Sequence, residues 1–280
     1  MSSFTFWRKV LRPEQAFLGA LATWVVAVLS DGNDWVGFTK MAAACVVALN
    51  IVGASVFHYG AARRMYARKE WDRIEVHKPG RLIALGSLLF LVSSSGALVM
   101  LPAACFWITV GNAVAISCYA RWLAKHWIIK NVIIALVCTT PVIIGWLSGH
   151  KLHPALPYLV LATFFAYWTR EIVKDYLDIK ANEGIRVTLP LWLGHKHAHR
   201  ALYVAAGTAL LTSASLMSFG QVMASAPALA TFFYVLAITS FLAIAYWLAQ
   251  RIYVRKLPMF ITYGNGLLLV SAFCLKAFAH

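Results

Sequence analysis

Long apolar runs alternate with short polar stretches along the whole chain. Nine runs, 15–30, 41–63, 82–102, 104–123, 129–148, 155–174, 198–218, 227–250 and 258–278, are each near the length of a membrane-crossing helix. The pattern predicts an all-α integral membrane protein, a helical bundle of nine transmembrane helices forming a single domain over residues 1–280. The tightest expected turn falls at Pro102 and Ala103, between the third and fourth runs. The connections alternate in charge. Arg8/Lys9/Arg12, the stretch Arg63 to Arg81, Arg121 to Lys130, Lys174 to Arg200, and Arg251/Arg255/Lys256 are basic, and the loops between them carry at most one lysine. The positive-inside rule then places the N-terminus and the basic loops in the cytoplasm and the C-terminal His280 on the opposite side.

Composition agrees with this pattern. The 280 residues are 61% apolar and 12% charged, and the mean hydropathy is +0.72. A soluble fold of this length has no way to hide so much apolar surface. The net charge of +15 sits in particular loops, so it reports topology and does not suggest a nucleic-acid partner. The first run reads as a retained span, because Asp31, Gly32 and Asn33 after it make no cleavage site. Cys45, Cys105, Cys118, Cys138 and Cys274 lie in apolar runs at no metal-binding spacing, which points to core thiols.

Acidic residues are distributed unevenly. Of ten, Glu14, Asp31 and Asp34 lie near the start, and the other seven fall in two short stretches, 70–75 and 171–183. Both stretches belong to basic loops, after the second and sixth spans. In the later one, Glu171, Lys174, Asp175 and Asp178 continue the sixth span without a helix breaker, with the carboxylates on one helical face. Carboxylates are costly at a membrane helix end. Two of them a turn apart repel unless a cation lies between them, and Mg²⁺ with a phosphate is a common solution. A solvated helix end is the plainer reading of the same spacing.

The stretch REIVKD, with Asp178 three residues on and then GIRVTLP, resembles the second aspartate-rich motif of the UbiA superfamily of intramembrane prenyltransferases. Arg170, Glu171, Lys174, Asp175, Asp178, Gly184, Thr188, Leu189 and Pro190 carry the match, and Asn182 stands where the family has a third aspartate. Leu11-Arg12-Pro13, Tyr119, Lys125, Asn131, and the stretch from Asp72 to Gly86 with its Arg81 extend the resemblance. It implies a nine-helix fold with a lateral cleft open to lipid. A prenyl diphosphate would bind between the two cytoplasmic loops and transfer its isoprenyl group to an aromatic or other small acceptor. Mg²⁺ would be held by Asp175, Asp178 and Asn182, with Asp72 opposite. Arg81, Lys125 and Lys174 would bind phosphate oxygens, with Arg170, Glu171, Tyr119 and Asn131 around them.

The first motif departs from the family pattern, since its register reads Arg64, Met65, Arg68 and Asp72, and only the last ligand remains. Arg64 and Arg68 are four apart and repel each other unless an anion joins them. A guanidinium binds phosphate oxygens in a fork, so these arginines are expected to replace a metal ion. The alternative is that they face lipid headgroups. Two further functions fit the resemblance: a membrane terpene cyclase, and a polyprenyl-lipid-binding pseudoenzyme. His195, His197 and His199 read as a solvated basic segment, and His58 as a structural histidine. Phe164, Phe165, Tyr167 and Trp168 read as packing residues whose faces could also stabilise a carbocation.

Overall fold

The computed structural model describes residues 3–31, 37–65, 79–121, 127–149, 156–179, 187–215, 228–249 and 257–277. Every regular element among them is a helix: α1 (Ser3–Leu11), α2 (Pro13–Asp31), α3 (Phe38–Met65), α4 (Pro79–Met100), α5 (Ala103–Arg121), α6 (Trp127–Ser148), α7 (Leu156–Leu177), α8 (Leu189–Ser215), α9 (Ala228–Ala249) and α10 (Leu257–Ala277). Each of the nine apolar runs corresponds to one of α2–α10. Two features differ from the expectation. A short amphipathic helix, α1, precedes the first run. Helix α8, which holds the seventh run, also starts at Leu189, well before the apolar run at 198, because the polar residues from His195 to Arg200 are helical beyond a kink at Gly194.

Among the described residues, four segments are long and apolar enough to cross a membrane by length and composition alone: Thr5–Ser30, Phe38–Ala61, Pro79–Met100 and Ile129–Ser148. The protein is an integral membrane protein. The apolar part of α5, Ala103–Tyr119, is shorter, and α7 carries Arg170, Glu171, Lys174 and Asp175 in its last turns.

Packing follows a ring. Helix α2 lies against α3 and α6, α3 against α4, α6 against α7, α7 against α8 and α10, and α9 against α10, which returns to α2. Large side chains on the outer faces, such as Leu91, Leu98 and Val99 of α4, are exposed, as expected where lipid is the solvent. The tightest crossing is α3 on α4. A methyl group added at Gly86 would lie 2.6 Å from the Phe57 nitrogen, so the backbones meet with no side chain between them.

Two prolines shape the bundle. Pro102 ends α4 and opens α5, with its carbonyl accepting from Cys105 N at 2.8 Å, as the sequence pattern suggests. Pro141 lies inside α6. It has no N–H for the Val137 carbonyl, and the Thr140 hydroxyl donates to that carbonyl instead at 2.7 Å. Cys45, Cys105, Cys118 and Cys138 are free thiols.

Candidate functional site

Three helix ends meet at one end of the bundle: the first turn of α6, the last turns of α7, and the first turn of α8. Helix α7 remains helical through its charged residues, with Asp178 N bonded to Lys174 O at 2.9 Å. That regularity brings Glu171 and Asp175, four residues apart, onto the buried face. They are 2% and 1% exposed.

Each buried carboxylate has its own partners. Glu171 Oε1 accepts from Arg170 at 2.6 Å and from Lys174 at 3.0 Å, and Oε2 accepts from Lys174 at 3.1 Å. Arg12 lies within electrostatic reach of both Arg170 and Glu171. It adopts a left-handed φ of 48° in the turn between α1 and α2, and its carbonyl receives Gln15 N at 3.0 Å and Ala16 N at 3.2 Å. Glu171 therefore organises a cationic group made of Arg12, Arg170 and Lys174.

Asp175 is expected from the sequence as a metal ligand facing the loop, but its side chain turns into the bundle. Oδ1 forms a buried ion pair with the Lys130 ammonium. Oδ2 accepts from Asn131 Nδ2 at 2.9 Å and, more weakly, from Leu189 N at 3.5 Å. Leu189 is the first residue of α8 and Pro190 behind it has no N–H, so the carboxylate caps this helix and complements its dipole. Thr188 would ordinarily do that work. Among the described residues its hydroxyl oxygen is instead buried without a hydrogen-bond partner, as are Asn131 Oδ1 and Arg170 Nε. Buried polar atoms without partners are rare in native structures, and three of them lie around this one cluster.

Asp178 differs from its neighbours. It is half-buried, and among the described residues its carboxylate has no hydrogen bond or ion pair. No group of three His, Cys, Asp or Glu side chains that could hold a metal is found among the described residues. The other expected ligands, Asp72 and Asn182, lie outside them.

The remaining expected site residues fall as follows. Tyr119 is buried at the end of α5, its ring 5.4 Å from that of His58. Arg81 is exposed in the first turn of α4, and Arg64 belongs to the last turn of α3. Arg68 and Lys125 lie outside the described residues. His195 and His197 are exposed, in keeping with a solvated segment. His199 Nδ1 meets Tyr176 Oη at 2.7 Å, and the Tyr176 hydroxyl is 3.1 Å from His195 O. This contact braces α7 against α8 beside Gly194, whose φ of 72° kinks the helix. Sequence reasoning misses Lys130, counting it as the end of a basic loop. Its position among apolar neighbours in WIIKNVII, next to Asn131, is the signal that could have found it.

The family model of the UbiA prenyltransferase family matches residues 76–262, about two thirds of the chain. The chain belongs to the UbiA prenyltransferase family. Its curated relatives include digeranylgeranylglyceryl phosphate synthases. The Methanococcus vannielii enzyme is 32% identical over 108 residues, 38% of this chain and 37% of that protein. The Methanospirillum hungatei enzyme is 26% identical over 220 residues, 75% of this chain and 76% of that protein. The chain thus spans well under two thirds of the Methanococcus vannielii relative's length. Among solved structures, a digeranylgeranylglyceryl phosphate synthase superposes with a TM-score of 0.76 at 17% identity, covering 100% of both chains. A UbiA homologue from Archaeoglobus fulgidus, bound to DMAPP and Mg²⁺, has a TM-score of 0.67 at 15% identity, covering 97% of this chain and 99% of that one. At such identity these likenesses establish the UbiA fold. The helix ends described above lie inside the region the family model matches.

Proposed function

We propose that this UbiA-family protein transfers an isoprenyl group from a prenyl diphosphate to a small acceptor, with its charged loops on the cytoplasmic face. The observation that carries the reading is the pairing of Asp178, a carboxylate without a partner among the described residues, with cations already fixed by Glu171 about two turns earlier. Such an arrangement suits a ligand that brings both a metal ion and negative oxygens. Mg²⁺ would be held by Asp178, with Asn182 and Asp72 from the adjoining stretches, and when bound it would neutralise charge on the diphosphate.

The chain's own residues account for the rest. Arg170 has an Nε without a partner among the described residues, and Lys174 is 40% exposed, so both would offer donors to phosphate oxygens while Glu171 holds their charged ends in place. Arg12 adds a third positive charge. Arg81, Lys125, Arg64 and Arg68 are the basic residues that the neighbouring loops would bring. Fixed cations at the oxygen where charge builds favour departure of the diphosphate. The allylic carbon then loses its bond to that oxygen and gains one to the acceptor, which gives up its proton. Sequence relatives that make a glyceryl phosphate lipid favour a hydroxyl-bearing glycerol phosphate derivative as acceptor, in place of the aromatic acceptor also considered.

The test is a product assay in lipid nanodiscs with Mg²⁺, a prenyl diphosphate, and either a prenylated glycerol phosphate, a hydroxyaromatic acid or no acceptor. Diphosphate release with a prenylated glycerol phosphate product is expected. A hydrocarbon product without acceptor would assign a cyclase instead. No diphosphate release under any condition would leave a lipid-binding role in place of catalysis.

A further inference from the structure

Lys130 and Asp175 form a charge pair deep at the junction of α6, α7 and α8, their side chains 3% and 1% exposed. We propose that Lys130 is the built-in counter-ion of Asp175, so that Asp175 is a positioning residue and the divalent cation is left to Asp178. This deepens the metal-dependent reading of the same site and rests on it.

The bonding of Asp175 supports the assignment. One oxygen is taken by Lys130, and the other by Asn131 Nδ2 and Leu189 N. A divalent cation on the same carboxylate would stand within a few ångströms of a buried ammonium, and like charges repel strongly in a site shielded from water. Lys130 thus supplies beside Asp175 the positive charge a metal would otherwise bring. The geometry also gives the pair a task. Asp175 ties the first turn of α6 and the first residue of α8 to the last turns of α7. That junction sets the direction in which Asp178 and Thr188 face, three and thirteen positions further along the chain.

The test uses the full chain in nanodiscs and four variants: Asp175→Asn, Lys130→Met, the double variant, and Asp178→Asn. Melting temperature is read together with Mn²⁺ binding by electron paramagnetic resonance, in the presence of a non-reacting prenyl thiodiphosphate. Each single change at the pair leaves one buried charge uncompensated, and is expected to lower the melting temperature by roughly 10 °C and to weaken Mn²⁺ binding. The double variant keeps an amide to meet Asn131 and Leu189 N and has no charge left, so it should recover most of both losses. Asp178→Asn should lose Mn²⁺ with little change in melting temperature. Recovery of stability in the double variant without recovery of Mn²⁺ binding would make Asp175 a metal ligand and overturn the proposal. Additive losses from the two single changes would overturn it as well. If the unaltered protein binds no Mn²⁺, the metal-dependent function fails. The role of Lys130 is then decided by the melting temperatures alone, recovery supporting it and additivity refuting it.

Discussion

Two helix pairs in this bundle are held by different balances of packing and polar contact. Helices α3 and α4 meet backbone to backbone at Phe57 and Gly86, and apart from a buried hydrogen bond from Asn50 Nδ2 to Ser93 Oγ at 3.3 Å their described contact is close packing. Helices α7 and α8 share an apolar core, with Ile172 and Val173 beside Leu189, Ala198 and Leu202, and add charge and hydrogen bonds to it: Asp175 on Leu189 N, and Tyr176 on His195 and His199. In a membrane, apolar side chains gain little by leaving lipid, so close approach of backbones is an effective adhesive. Buried ions are a poor adhesive, because desolvation offsets most of their attraction. A bundle that needed stability only would use the first solution throughout. The second is placed where, among the described residues, buried polar atoms lack partners, which is the location the proposed diphosphate site requires.

That contrast can be broken experimentally. The largest effect is expected for Asp178→Asn, which should cut turnover by about 100-fold or more while the melting temperature hardly moves, measured by product formation and thermal unfolding in parallel. Next, Glu171→Gln removes the negative charge and one of the two acceptor oxygens that hold Arg170 and Lys174. It should destabilise by about 3 kcal/mol and also raise the prenyl diphosphate concentration needed for half-maximal rate. Arg64→Ala or Arg68→Ala should weaken prenyl diphosphate binding by about 2–3 kcal/mol, the scale of a charge-assisted hydrogen bond, with Arg63→Ala and Arg73→Ala doing much less. Equal, small effects at all four positions would assign them to lipid headgroups. In the close-packed pair, Gly86→Val should cost about 2 kcal/mol of stability and leave the diphosphate affinity of the folded fraction unchanged, as read by ligand titration after removal of aggregate. The smallest effect belongs to Tyr176→Phe, about 1 kcal/mol for one hydrogen bond, seen as a modest fall in melting temperature.

The helices were legible because lipid imposes a length and a composition on each one. The turn at Pro102 and the nine apolar runs could be read from local pattern. The start of α8 could not, since its first turns precede a kink at Gly194 and a polar stretch, and Leu189 N, at its first residue, donates to a carboxylate fourteen residues earlier. The acidic cluster was legible as a motif, but the roles within it were not. Spacing puts Glu171, Asp175 and Asp178 near one face without saying which of them meets a cation from another helix. Lys130 is 45 residues from Asp175, and a pairing of that kind is set by the packing of α6 on α7. The first acidic stretch, with Asp72 and Arg68, lies outside the described residues and stays an expectation from sequence.

The central claim is that the junction of α6, α7 and α8 binds a diphosphate through Asp178 and the cations organised by Glu171. Equilibrium binding of a radiolabelled prenyl diphosphate to the purified protein, with Mg²⁺ and then with excess chelator, tests it most directly when run on the unaltered chain, Asp178→Asn and Arg170→Gln. The account predicts Mg²⁺-dependent binding by the unaltered chain, loss of that dependence in Asp178→Asn, and weaker binding with and without Mg²⁺ in Arg170→Gln. Folded Asp178→Asn that binds the ligand as tightly as the unaltered chain, and still only with Mg²⁺, would contradict it.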